Sequence, residues 1–120
     1  MSAPDAQRQI TSLPLAVLML GPGQEVVRAN PAAEQLLGQS LRRLAGRRIG
    51  TLLRFKDELL GRRIEDPEGQ LSAREAEVVI LGQPGSRRLD VTLAPVLEQP
   101  GWQVLTLHDI SSVEAMREDN

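Results

Sequence analysis

The sequence has no cysteine, a single histidine and very few aromatic residues. Without cysteine the chain can form no disulfide, no thiolate metal site and no cysteine nucleophile. The histidine is His108, and the two aromatic side chains are Phe55 and Trp102. A metal site would therefore rest on carboxylates, and no dense acidic loop of the calcium-binding type is present. We expect His108, next to Asp109 at the end of a predicted strand, to be structural or exposed.

Long hydrophobic runs are also missing from the sequence. The apolar stretch at residues 13–20 is too short to span a bilayer, and no basic region with a long apolar run marks the N-terminus. We therefore expect a cytoplasmic chain with no membrane association. A length of 120 residues leaves room for one domain with a modest core. No Gly-rich phosphate loop and no Gly-x-Ser-x-Gly elbow is present, so we expect no enzymatic activity in this chain alone.

The net charge is −2, but basic residues cluster in the middle of the chain. The cluster comprises Arg42, Arg43, Arg47, Arg48, Arg54, Lys56, Arg62 and Arg63, offset only by Asp57 and Glu58. Nucleic-acid binding is one interpretation, yet aromatic stacking platforms are almost absent. Charge runs usually lie in solvent, so we predict a solvated basic face and no nucleic-acid partner. Such a face could still receive an acidic partner surface.

Residues 25–38 predict a short β-strand that runs directly into a short helix. Two β-branched valines favour the strand, and Asn30 is placed to cap the helix. Pro31 then occupies the first helical position, where its fixed φ is suitable and its missing N–H leaves no donor unpaired. Gly38 can adopt the left-handed conformation that ends the helix.

The rest of the chain predicts four further strands and several short helical segments. The strands lie at residues 15–20, 71–81, 89–93 and 102–108, where apolar runs or alternation are bounded by turn signals. We expect helical turns at residues 40–44 and 49–53, and a helical period through Phe55, Leu59, Leu60 and Ile64. Five strands with helices inserted between the second and third indicate an α+β fold with an antiparallel sheet covered on one face.

An apolar stripe is predicted on a helix at the N-terminus. Ala6, Ile10 and Leu13 follow one another at i, i+4 and i+7. A helix this short is marginal alone, so the stripe must pack on something. Two interpretations remain open: the helix caps its own domain, or it pairs with the same helix of a second subunit.

The strand, turn, strand and Ala29-Asn30-Pro31 junction resembles the opening of a PAS domain. The triplet Asp109-Ile110-Ser111 is similar to the Asp-Ile-Thr ending common in that family. Within the family, the chain looks most similar to the N-terminal sensory domain of NtrB-type nitrogen-regulation histidine kinases. The resemblance implies a profilin-like PAS fold at residues 15–110, a capping or dimerisation helix at 1–14 and the start of a signalling helix at 111–120.

The resemblance also implies a function that is regulatory. It implies a homodimer that transmits signals to a cytoplasmic bacterial histidine kinase in a two-component phosphorelay, with an NtrC-type response regulator and a PII signalling protein as partners. The residues expected to matter for structure and signalling are Asn30, Pro31, Gly38, Asp109, Ile110 and Ser111, with Ala6, Ile10 and Leu13 for dimerisation. No catalytic or metal-binding residue is implied within this chain.

Cofactors of related sensors are not expected here. The axial histidine of haem-binding PAS sensors usually lies on the helix that walls the cavity, where this sequence has none. Flavin-binding and chromophore-binding relatives use a cysteine, which is absent. A small apolar ligand in the cavity remains possible beside a simply filled core. The alternative function is therefore a small-metabolite sensor domain of another signalling protein, such as a transcriptional activator or a cyclic-nucleotide enzyme.

Overall fold

The structure, a computed structural model, describes residues 15–110 of the chain. Its strands are β1 (Ala16–Leu20), β2 (Val26–Ala29), β3 (Leu53–Phe55), β4 (Leu71–Ile80), β5 (Arg87–Pro95) and β6 (Gln103–Asp109). These six strands of the described range form one antiparallel sheet in the spatial order β2-β1-β6-β5-β4-β3. Between β2 and β4 lie α1 (Pro31–Leu37), α2 (Leu41–Leu44), a 3₁₀ helix (Ile49–Thr51) and α3 (Glu58–Ile64). The predicted α+β class is confirmed.

The prediction of five strands was wrong, because the sequence gives no signal for the short strand β3. Leu53, expected in a helical turn, and Phe55, expected in a helix, lie in this strand and face the core. Leu53 pairs with Ile80 and Phe55 with Val78 on β4. Three residues are too few for alternation to be detected in a sequence. Helix α3 begins only after Asp57, whose carboxylate accepts a hydrogen bond from the Leu59 N–H at 2.9 Å.

The core lies between the inner face of the sheet and the helices. Alternate residues of each strand point inward, as the period of two requires. Fully buried side chains come from both layers: Leu18, Leu20, Val26, Val78, Leu89, Val91, Leu93, Leu105 and Leu107 from the sheet, and Ala33, Leu44, Ile49 and Ile64 from the helical side. Burial of each large aliphatic side chain stabilises the fold by about 1.5–3 kcal/mol at most.

The chain between α2 and β3 ties both ends of the sheet together. On one side, Val26 of β2 donates a backbone hydrogen bond to Arg47, and Ile49 donates one to Gln24. On the other side, Leu81 donates one to Leu52. The two ends of the strand order are thus both bonded to this one segment, and the sheet must curl around the helical layer.

Two buried glutamines hold the end of α3 against the sheet. The Gln24 side chain donates to the Ile64 carbonyl at 2.8 Å, and the Gln103 side chain donates to the carbonyls of Asp66 and Gly69 at 2.9 and 3.1 Å. Both side chains are almost completely buried. These bonds provide side-chain donors for carbonyls at the end of α3 and in the turn after it, and the Asp66 carbonyl accepts from the Gly69 N–H as well.

Several predicted features lie outside the described residues. These are segments 1–14 and 111–120, the apolar stripe of Ala6, Ile10 and Leu13, and Ser111. Among residues 15–110, none of the helices has the length and apolar content needed to cross a membrane.

Candidate functional site

The junction between β2 and α1 is held by the side chain of Asn30. Its Oδ1 accepts hydrogen bonds from the backbone N–H groups of Ala33 at 2.9 Å and Val17 at 3.0 Å. Its Nδ2 donates to the Leu15 carbonyl at 2.8 Å. The predicted cap of α1 is confirmed, but Asn30 also fastens the start of β1, which the sequence did not indicate. One side chain therefore couples the helix to two strands.

Helix α1 begins at Pro31 and is capped by Gly38, as predicted. Pro31 occupies the start of the helix, and Gly38 has a left-handed φ of 70° and donates its N–H to Glu34. A Cβ at position 38 would lie 3.1 Å from Nε2 of Gln83, which is tight. Glycine is thus favoured here by the backbone conformation, and a larger residue would also have to displace the end of the Gln83 side chain slightly.

A chain of side-chain hydrogen bonds runs from the end of α1 to the end of β6. Gln83, in the turn between β4 and β5, donates its Nε2 to the Leu36 carbonyl at 3.1 Å. Its Oε1 accepts from Nη2 of Arg87 at 3.1 Å, and Nη1 of Arg87 donates to Oδ2 of Asp109 at 2.8 Å. We call Gln83, Arg87 and Asp109 the hairpin network. It connects α1 to the residue after which the sheet ends.

The hairpin network is only partly shielded from solvent. The side chain of Arg87 is 42% exposed and that of Asp109 is 19% exposed. The Arg87–Asp109 pair is therefore a charge-assisted hydrogen bond that solvent partly screens. The backbone continues the connection, because the Ile110 N–H donates to the Arg88 carbonyl at 3.1 Å.

A groove of about 360 Å³ lies beside α3 and β3. Its floor includes Leu53, Phe55 and Ile64, and its rim carries two arginines and two glutamates: Arg54, Arg62, Glu58 and Glu65. We call it the α3 groove. It presents both apolar and charged surface, so it is chemically suited to a small amphipathic molecule rather than a purely apolar one.

The comparison with protein families decides the classification of the chain. The family model described as "PAS domain" matches residues 7–76. The chain belongs to the PAS domain family. No curated protein sequence matches it.

Solved structures agree with this assignment at the level of the fold. The PAS domain is similar to the PAS domain of nitrogen regulation protein NR(II) from Vibrio parahaemolyticus, with 24% identity, a TM-score of 0.61, and coverage of 92% of this chain and 100% of that one. It is also similar to the LOV domain of the blue-light activated histidine kinase EL346 from Erythrobacter litoralis, with 19% identity, a TM-score of 0.63, and coverage of 82% and 97%. A PAS domain of an HTR-like protein from Haloarcula marismortui gives 14% identity, a TM-score of 0.60, and coverage of 91% and 92%.

Among residues 15–110, no group of three or more histidine, aspartate or glutamate side chains is arranged to hold a metal ion. The clearest electrostatic effect is at the surface, where a hydrogen bond from Lys56 lowers the pKa of Glu77 below its ordinary value. Coulomb attraction to Lys56 and a hydrogen bond from Ser86 lower it further.

The sequence alone identified residues at the ends of α1 and at the end of β6, which the hairpin network connects. It did not identify the two residues that make the connection. Asn30, Gly38, Asp109 and Ile110 were singled out from the sequence, whereas Gln83 and Arg87 were not. Gln83 belongs to a recognised turn signal, Gln83-Pro84-Gly85, which predicts the turn but not the direction of its side chain. Contacts between residues 47 positions apart, such as Gln83 with Leu36, leave no local signal in one sequence.

Proposed function

We propose that this PAS domain is the regulatory domain of a cytoplasmic NtrB-type sensor histidine kinase, in which it mediates homodimerisation and signal transmission to the kinase core. On this proposal the parent protein is a bacterial phosphotransferase of nitrogen regulation that acts on an NtrC-type response regulator under control of a PII protein. Histidine kinases recur among the structural neighbours, and the similarity to the NR(II) PAS domain extends over 92% of this chain.

The observation that carries the signalling proposal is the hairpin network. It joins α1, the helix next to the Asn30 junction, to Asp109, beyond which the chain leaves the sheet. A change in the position of α1 would alter the Gln83 hydrogen bond, then the orientation of Arg87 and then Asp109. Such a network can bias two states of a segment that follows Ile110, provided that the two states differ in their contacts with it.

Dimerisation is supported by the outer face of the sheet. Val17 and Met19 of β1 and Val104 of β6 lie on this face and are half-buried, and Leu15 just before β1 is 45% exposed. In the register, Met19 is opposite Val104, so their side chains share one apolar strip. This strip is suited to receive an amphipathic helix such as the one predicted at residues 1–14.

The coding sequence downstream of Asn120 is the first test of this proposal. A histidine-bearing dimerisation helix followed by an ATP-binding module is expected. A DNA-binding domain or a cyclic-nucleotide catalytic domain would contradict the kinase assignment.

The second test addresses signal transmission through the hairpin network. In the full-length protein, Gln83→Ala should change the ratio of kinase to phosphatase activity, and in this chain it should shift the amide resonances of both α1 and residues 107–110. Gln39→Ala is the matched control, because the Gln39 side chain bonds only to Arg47 among its described contacts. Identical effects of both substitutions, or shifts confined to the β4–β5 turn, would exclude transmission by this route.

A second candidate function is that of a small-metabolite sensor, and the α3 groove is the observation that favours it. Native mass spectrometry of the protein purified from cells would detect a retained small molecule. A ligand lost on Arg62→Ala would support the sensor, whereas a mass equal to that of the polypeptide alone would favour the dimerisation and transmission module.

A further inference from the structure

The charge of this chain is distributed unevenly along the sequence. Residues 42–63 contain eight basic and two acidic residues, a net charge of +6. Since the whole chain has 14 basic and 16 acidic residues, the remainder has six basic and 14 acidic residues, a net charge of −8. We call Arg42, Arg43, Arg47, Arg48, Arg54, Lys56, Arg62 and Arg63 the basic face. The excess of cations over carboxylates in this segment is what requires an explanation.

The basic face spans the helical layer and the neighbouring edge of the sheet. All eight side chains are exposed, and they come from α2, the loop before the 3₁₀ helix, the edge strand β3 and α3. The 3₁₀ helix that follows the loop packs against both β3 and α3, and Arg54 and Arg62 line the same groove. The cations therefore lie on successive elements that are in contact with one another.

Most side chains of the basic face form no ion pair with the described part of the chain, so they do not stabilise it in that way. Among the described residues, Lys56 pairs with Glu77 at 3.2 Å, and Arg47 donates to the neutral side chain of Gln39 at 3.1 Å. The other six members make no ion pair or side-chain hydrogen bond within that range. Clustered unpaired cations repel one another, so their arrangement is unfavourable for the isolated domain.

An exposed leucine lies beside these cations. Leu59 of α3 is 58% exposed and precedes Arg62 and Arg63 by three and four positions, so the three side chains share one face of the helix. An apolar centre with a charged rim is the composition of protein–protein interfaces. Arginine also binds carboxylates with two parallel hydrogen bonds, which lysine cannot do, and seven of the eight basic residues are arginine.

We propose that the basic face is a docking surface for an acidic protein, which supplies carboxylates to the arginines and an apolar recess for Leu59. A polyanionic nucleic acid suits the surface less well. Phe55, the one aromatic residue in this part of the chain, is only 6% exposed and offers no stacking platform. The net charge of −8 on the rest of the chain also repels a long polyanion. This docking surface is separate from the hairpin network and does not depend on the proposed kinase function.

Three probes with different chemistry test the proposal at physiological ionic strength. They are a short fluorescent peptide rich in glutamate with a central pair of leucines, a duplex DNA of matched charge, and vesicles of mixed phosphatidylcholine and phosphatidylglycerol. Binding of the peptide, with amide resonance shifts confined to residues 41–64, is expected. Preferential binding of the DNA or of the vesicles would overturn the proposal in favour of a nucleic-acid or membrane surface.

Matched variants separate a specific site from general attraction of charge. Arg62→Glu should weaken peptide binding by about tenfold, whereas Arg74→Glu, the same change on the exposed side of β4, should leave it nearly unchanged. Leu59→Ser should weaken binding several-fold at constant charge, and Leu97→Ser, at an 88% exposed position after β5, should not. Equal effects of the two arginine changes, or no effect of Leu59→Ser, would contradict a defined docking site.

Lys56 allows the location to be mapped directly, because it is the only lysine in the chain. A carbodiimide reagent joins amines to carboxylates without a spacer, so the bound peptide should be cross-linked to Lys56. The intramolecular link to Glu77 at 3.2 Å serves as the internal control for reaction. In Lys56→Arg the cross-link should disappear while peptide binding persists. Cross-linking of the peptide only to the N-terminal amine would overturn the assignment to the basic face.

Discussion

At the scale of single residues, Asn30 makes more hydrogen bonds than the helix cap that the sequence predicts. A helix cap contributes about 1 kcal/mol, and each further hydrogen bond about 0.5–1.5 kcal/mol, with an exposed bond at the low end of that range. Asn30 makes the cap and two bonds to the strand β1 region, at Val17 and Leu15. The Asn30 side chain should therefore contribute more to the free energy of unfolding than an ordinary helix cap does.

We expect Asn30→Ala to lower the free energy of unfolding by about 2–3 kcal/mol, since it removes the cap and both strand contacts. Urea denaturation followed by circular dichroism measures this. Ser40→Ala is the matched control, because Ser40 precedes α2 without a side-chain cap bond and its loss should cost under about 0.5 kcal/mol. Equal midpoints for the two variants would show that Asn30 is only a conventional turn residue.

At the scale of elements, alternation predicted the long strands well because one side of each faces the core. It could not predict the irregularity in β4, where the register shifts between Ala73 and Ala76. At this bulge Glu75 has a φ of 54°, and its N–H donates to Oδ1 of Asp90 on β5 at 2.9 Å. The same reason explains why β3 and the contacts of Gln83 were not predicted. The pairing of β3 and the orientation of the Gln83 side chain depend on residues far away in the chain, and a single sequence does not show which residues those are.

The bulge yields a prediction about the backbone of β4. Glu75→Val should lower the free energy of unfolding by about 1–2 kcal/mol, because a β-branched residue is strained at positive φ, whereas Glu75→Gly should be neutral or slightly stabilising. Ser72→Val, at an exposed position of the same strand without a positive φ, should change stability by less than about 0.5 kcal/mol. Thermal or urea denaturation distinguishes these cases, and a harmless Glu75→Val would contradict the left-handed conformation at this position.

At the scale of the whole molecule, the proposed surfaces lie at different places on the sheet and its cover. The inner face of the sheet is closed by the helical layer, the basic face extends over that layer and the edge strand β3, and the outer face of β1 and β6 carries the apolar strip of Val17, Met19 and Val104. The hairpin network reaches the end of β6 without crossing the core. A partner on the basic face and a second subunit on the apolar strip could therefore bind at the same time, since β3 and β1 are separated by β6, β5 and β4 in the sheet.

The dimer prediction belongs to this scale because it concerns the association of two whole chains. It rests on the stripe of Ala6, Ile10 and Leu13, which lies outside the described residues. Ile10→Glu with Leu13→Glu should convert a dimer to a monomer in sedimentation or light scattering, since two carboxylates would be buried in an apolar contact. Thr11→Glu with Ser12→Glu adds the same charge about 100° or more away from every residue of the stripe on an ideal helix and should leave the dimer intact. An unchanged mass in the first variant would mean that the stripe caps its own domain, and the two subunits would then have to meet through another surface.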